Sequence, residues 1–436
     1  NNAHVFEEIL IAMLRFNHNQ LITRFQDFRQ KLYNCFYRSS DACMDLLDAL
    51  AGNTGADSIA ELSLSPLFPR TYNSIYKAIK ESFNTNNQDT NNEVEVEVEE
   101  EKPNNLIRVV SELIDQPKQR PFYLFATDTT PHPRPYAKTL VERGYIYQPN
   151  TIKGNKPINI GHSYSLLLIL PEKETDGNAL WAVPLSGERV SLNQSGVDVA
   201  SSQIQSIMCN SSLPWHEELC VLVADTVYSQ RSFLFEVSKH KNLVVIARVR
   251  SNRIFYQSPP VDESKKKRGC PKKYGERFNL ADTQTWHLPN ETIQIQQTTR
   301  KGRLLNITIQ AWHQMLMRGT LHQKMYRHPF TLLKINVTDD TNQSLWKSMW
   351  LIVMGDKGEE ISPTLAYSSY RQRFDIEHMF RFSKQRLLMT EFQTPDVEHE
   401  ENWIRLVMLA YAQLWAAKDL ASHLPRRKGA LFKTKQ

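Results

Sequence analysis

The sequence predicts an α/β chain: a core of sheet and helices interrupted by a β-rich insertion, with a helical domain ahead of it. Three observations predict this. Two near-continuous apolar runs, residues 122–128 and 220–225, each end in an aspartate, and runs of this kind read as strands buried on both faces. Strand-like and helix-like segments then follow one another in a regular order between residues 122 and 249. Beyond them, residues 285–354 alternate polar and apolar positions, as strands with one wet face do.

The first 82 residues carry amphipathic runs at 6–14 and 42–50, punctuated by Gly52, Gly55, Pro66 and Pro69, and are expected to form a helical domain. Residues 83–106 are an Asn- and Glu-rich linker. The first part of the core, 107–250, contains the run ending in Asp128, strands at 164–170 and 180–185, a helix over 197–208, the run ending in Asp225, a helix over 229–239 and a strand at 242–249. The β-rich insertion is assigned to 251–355, the remainder of the core to 356–423, and a basic tail to 424–436.

One motif carries the chemistry. Tyr370, Arg373, Glu377 and Lys384 are spaced Y-x2-R-x3-E-x6-K, and on a continuous helix they would share a stripe about 60° wide. A carboxylate flanked by Arg and Lys suits a metal ion on one side and a phosphate backbone on the other. The pattern resembles the signature of DDE transposases of bacterial insertion sequences, the insertion-sequence-four group, in which the Glu is the third catalytic acid. The closing segment from Glu398 to Leu420 is most similar to the insertion-sequence-701 branch.

The resemblance implies an RNase H-like catalytic core with Asp128, Asp225 and Glu377 as catalytic residues and metal ligands. It implies two Mg²⁺ ions, with Mn²⁺ as a surrogate, about 3.5–4 Å apart, activating water and stabilising the leaving oxygen in an in-line displacement at phosphorus. Tyr370, Arg373 and Lys384 would grip phosphates near the cut end, and the helical N-terminal domain would recognise the terminal inverted repeats. A capping or dimerisation bundle is the other reading of that domain. The partners implied are double-stranded DNA, as terminal repeats and as target, and a second copy of the chain in a synaptic homodimer. The location implied is the bacterial cytoplasm, at the nucleoid. The competing functions are an inactive transposase-derived DNA-binding protein and another RNase H-like nuclease.

Charge and composition agree with this partner. The 436 residues hold 53 Lys and Arg against 47 Asp and Glu, net +6. Because Glu93, Glu95, Glu97, Glu99, Glu100 and Glu101 concentrate acid in the linker, the rest is more basic still. Lys265, Lys266, Lys267, Arg268, Lys272 and Lys273 surround Gly269-Cys270-Pro271 and resemble an AT-hook in which Cys270 replaces the second arginine. Losing that groove-inserted cation favours phosphate tracking over minor-groove reading, and a solvated loop is the alternative. In related transposases a Trp of the insertion stacks on an extruded base, a part for which Trp286 is the candidate here; core packing is the alternative. His162 lacks a partner at ligand spacing. An odd count of five cysteines without a C-x-x-C pair argues against a disulfide framework or a zinc site, and no apolar stretch approaches the ~20 residues of a membrane span or reads as a secretory leader.

Overall fold

The computed structural model describes residues 2–83, 102–147, 158–173, 181–259, 272–299 and 302–421. The chain divides into two compact units. One comprises Asn1–Leu113 with Ser383–Gln436, the other Ile114–Phe382. This division departs from the boundaries read from composition, since the end of the chain is grouped with its beginning.

The first unit is helical. It contains α1 (Asn2–Cys35), α2 (Ser40–Ala51), α3 (Ile59–Leu62), α4 (Tyr72–Glu81), α5 (Lys102–Ser111) and a closing helix, Val397–Ala416. Leu46, Leu47 and Leu50 of α2 lie on one stripe and are buried, as are Ile75 and Ile79 of α4. The closing helix had been expected to complete the catalytic core. Instead it buries Trp403, Ile404, Leu406, Val407, Leu409 and Ala410, too much of its circumference for a helix covering one face. Its Asn402 donates to the Ile79 carbonyl at 3.1 Å, and Gln413 donates to Asp48 at 2.7 Å.

The second unit is built on one large mixed sheet. Its elements are β1 (Tyr123–Pro133), β2 (Gly144–Tyr147), β3 (Ile158–Ile169), β4 (Val183–Val190), α6 (Gly196–Cys209), β5 (Cys220–Ala224), α7 (Arg231–Val237) and β6 (Leu243–Val249). There follow β7 (Ile254–Tyr256), β8 (Arg277–Asn279), β9 (Glu291–Thr298), β10 (Leu304–Met315), β11 (Phe330–Thr338), β12 (Met349–Met354), α8 (Pro363–Gln372) and α9 (Asp375–Gln385). Helix α9 crosses the boundary between the units. The strand order is β2-β3-β1-β5-β6-β12-β11-β10-β9, with β4 also paired to β3; β7 and β8 form a separate ribbon.

At the centre, β1, β5 and β6 run parallel, with Thr127 opposite Ala224 and Ala224 opposite Ala247. All five residues of β5 are buried, which explains its unbroken apolar sequence. Next to them β3 runs antiparallel to β1. The strands of the β-rich stretch do not stand apart: β12 pairs antiparallel with β6, and β11, β10 and β9 follow, so they extend the same sheet. Helix α6 begins with a capping box between Ser195 and Asp198. Most strands lie where sequence pattern put them; β2 was not foreseen, being short and mostly exposed.

Candidate active site

The parallel register places the first two acids. Asp128 follows Thr127 on β1, and Asp225 follows Ala224 on β5, so the carboxylates stand on neighbouring strands. Asp128 continues along β1 and accepts the Thr129 backbone N–H at 2.8 Å. Asp225 leaves the sheet and starts a 3₁₀ turn, Thr226–Ser229, whose Tyr228 N–H bonds back to the Asp225 carbonyl at 3.0 Å.

The third acid arrives on a broken helix. A continuous helix through Tyr370, Arg373 and Glu377 was expected, but α8 ends at Gln372 and α9 begins at Asp375. Across the junction Arg373, Phe374, Ile376 and Glu377 donate to carbonyls three residues back. This tighter winding turns the chain further per residue than an α-helix, and the single outward stripe is lost. Tyr370 and Arg373 are buried, 6% and 8% exposed, while Glu377 is exposed. Two contacts hold the junction to the sheet's surroundings: Lys173 with the buried Asp375 carboxylate at 3.0 Å, and Gln372 with the Pro171 carbonyl at 2.6 Å.

Arg373 is the hub. One guanidinium nitrogen lies 3.2 Å from Asp128 and another 3.9 Å from Glu377, and the Tyr370 ring lies 5.9 Å from its carbon. Its Nε is buried without a hydrogen-bond partner. Burial lowers the Arg373 pKa, but Tyr370, Asp128 and Asp225 outweigh it and the net shift is upward, so the charge is firmly held. Burial raises the Asp128 pKa. The Arg373 charge and the Thr129 N–H pull it back, and Asp225 pushes it up again, leaving it above the usual carboxylate range.

The three carboxylates do not close into one ligand cluster. Among the described residues no group of three or more His, Cys, Asp or Glu side chains could hold a metal ion. The reason is visible in Arg373: a fixed cation bridges Asp128 and Glu377, so the repulsion that a metal would relieve is partly relieved by a guanidinium. The donors still fit a hard divalent cation, being carboxylate oxygens, and the upward push of Asp225 on Asp128 shows charge left to neutralise.

Other sequence-predicted residues fall as follows. Lys384 lies on the last turn of α9, within the first unit, and burial lowers its pKa. Lys272 and Lys273 are exposed, the latter with its ammonium 5.0 Å from the Tyr326 ring centre. Lys265, Lys266, Lys267 and Arg268 lie outside the described residues, as does the basic tail. Trp286 is half-buried. It stacks on Phe278 at 5.9 Å, and the Lys334 ammonium lies 4.5 Å from its ring centre. Its indole N–H is spent on the Asn279 carbonyl at 2.7 Å. Trp312 and Trp350 are buried beside it, whereas Trp346 is 60% exposed. His162 is buried, 3.0 Å from the Val141 carbonyl.

Sequence reasoning missed Tyr228. It is 2% exposed, and its phenol pKa is raised by burial first, then by the Asp128 charge. The only available signal was an aromatic one 3₁₀ turn after Asp225.

A mixed sheet with aspartates level with one another on adjacent parallel strands, and an acid helix beside them, is consistent with an RNase H-like fold and with nuclease chemistry on DNA. The chain belongs to the DDE superfamily endonucleases, whose family description matches residues 31–319. That segment contains Asp128 and Asp225 and ends before Glu377. No curated protein matches the chain. Nucleases of this superfamily typically use divalent metals and act on DNA. No helix among the described residues is long and apolar enough to cross a membrane.

Proposed function

We propose that the protein is a DDE transposase that cuts the ends of a bacterial insertion sequence and joins them to target DNA. The observation that carries this is the placement of Asp128 and Asp225 side by side on parallel strands, with Glu377 tied to Asp128 through Arg373. Within this reading the Tyr370-Arg373-Glu377-Lys384 motif is that of the insertion-sequence-four group, with the 701 branch most similar. The helices ahead of the core read the terminal inverted repeats, and two copies pair two ends. Strands β7 to β12 are the group's β-rich insertion.

Asp128, Asp225 and Glu377 would hold Mg²⁺, which would activate a water or a DNA 3′-OH and neutralise charge developing at phosphorus. The chain's own residues do the rest. Tyr228 and Tyr370 close the floor behind the acids and exclude water. Arg373 keeps the carboxylates together before DNA arrives, then exchanges Asp128 for a phosphate oxygen, to which its planar fork is suited. Lys384, on α9 with Glu377, adds a point charge.

The test is cleavage and strand transfer on DNA carrying the element's ends, with Mg²⁺ and with EDTA, comparing wild type with Glu377→Gln. We expect metal-dependent cutting that falls about 10³-fold or more in the variant, the several kcal/mol that a metal's charge supplies, with DNA binding retained. Equal activity in both would remove Glu377 from the site. Tight binding without cutting in either would identify a DNA-binding relic, and junction cutting without strand transfer another nuclease.

A further inference from the structure

Three segments of the second unit converge beside Asp225, and none contains an acid: residues 226–235, 247–259 and 316–329. Because β5 and β6 are parallel and in register at Ala224 and Ala247, the chain leaving β6 emerges at the same sheet edge as Asp225. It turns at once, the Arg253 N–H bonding to the Arg250 carbonyl at 3.2 Å. The Arg253 guanidinium then reaches the Ser229 carbonyl at 3.2 Å, at the end of the 3₁₀ turn that Asp225 starts. It also lies 3.9 Å from the Met317 sulfur, one residue before Arg318. Arg231 donates to Gln323 at 2.8 Å, and the exposed Lys324 follows next in the chain.

Like charges placed this close repel, and nothing internal compensates them. Among the described residues none of Arg231, Arg250, Arg253, Arg318 and Lys324 has a carboxylate partner. Arg253 registers the crowding: burial, then Arg231 and Arg250, lower its pKa. Arg250, Arg318 and Lys324 are exposed. A group of cations without carboxylate partners, three of them exposed, is stabilised by a polyanion more than by water alone.

We propose that Arg231, Arg250, Arg253, Arg318 and Lys324 form a seat for the sugar-phosphate backbone of duplex DNA, leading away from the phosphodiester to be cut beside Asp128 and Asp225. The inference rests on the DNA-cutting reading and adds where the duplex lies. The seat contacts phosphates only, so it grips any sequence equally and sets register and salt dependence, not specificity.

The test measures binding of full-length protein to a duplex carrying the element's end, and to an unrelated duplex of equal length, over a range of salt. The double variant Arg250→Ala/Arg318→Ala changes two exposed side chains, and Arg253→Lys keeps its charge. For the double variant the slope of log affinity against log salt should fall by about 2, roughly 0.9 per lost phosphate contact, equally on both duplexes. Arg253→Lys should keep the wild-type slope. An unchanged slope in the double variant overturns the seat, even if Glu377→Gln abolishes cutting as expected. An equal fall for Lys239→Ala, whose cation is paired with Glu236, would reduce the effect to net charge and also overturn it. A fall confined to the double variant supports the seat even if no cutting is found.

Discussion

The parallel centre of the sheet and its antiparallel extension belong to one hydrogen-bonded surface and do opposite things. In β5 every residue is buried, whereas along β9 none is. The parallel register sets Asp128, midway along β1, beside Asp225 at the end of β5, and the Arg250 turn leaves β6 on the same side. Antiparallel neighbours deliver successive ends to opposite edges. The lesson is that strand direction, more than composition, decides where charge can be concentrated.

The sharpest way to break this comparison is to truncate equivalent positions in the two halves. Leu222 in β5 is 1% exposed, and Leu222→Ala should cost about 3 kcal/mol through lost burial and a cavity. Gln294→Ala, on an exposed position of β9, should stay within about 0.5 kcal/mol. Denaturant midpoints measure both; equal losses would mean that the extension is as tightly built as the centre.

A second test concerns charge at the parallel edge. Arg373→Ala strands Asp128 without its cation and should destabilise the metal-free protein by about 2–3 kcal/mol. Arg373→Lys should recover only part of this, because an ammonium cannot bridge two carboxylates as a planar fork does. Mg²⁺ should raise the melting temperature of the alanine variant more than that of wild type. If it does not, Arg373 and the metal do not share the same carboxylates.

A smaller effect than that of Arg373 is expected at the cap of α6, which packs chiefly on β3 and β4. Ser195→Ala should cost about 1 kcal/mol. Asp198 has its pKa lowered, first by the Ser195 backbone N–H and then by its hydroxyl. A carboxyl depressed in the folded state contributes stability above its unfolded pKa and loses it as pH falls through the folded value. Melting followed into acid should therefore show this increment disappearing below the ordinary carboxylate range, and Asp198→Asn should lack that dependence.

Much of the molecule was legible in advance because the strongest signals are local. A strand buried on both faces must be apolar throughout, so residues 122–128 and 220–225 announced themselves. The alternation in residues 292–296 and 304–309 marked β9 and β10, which do have one drier face. What failed was the helix wheel over residues 370–384. Nothing in that sequence signals that Arg373 and Phe374 leave the α-helix, since neither is Gly or Pro. The break comes from contacts such as Lys173 with Asp375 and Gln372 with Pro171, made between residues far apart in the chain.

By itself, then, the sequence marked the buried strands and the candidate acids beside them, because burial dictates composition one strand at a time; that β1 would run on past Asp128 to Pro133 was not legible. Only the tertiary structure decided what stands among those acids. Whether a cation serves DNA or a carboxylate depends on distance, and Arg373, read from its spacing as a phosphate contact, lies 3.2 Å from Asp128 in the interior. The arginines beside Asp225 are anonymous in sequence for the same reason: parallel pairing of β5 and β6 and the turn after Val249 are what bring them together.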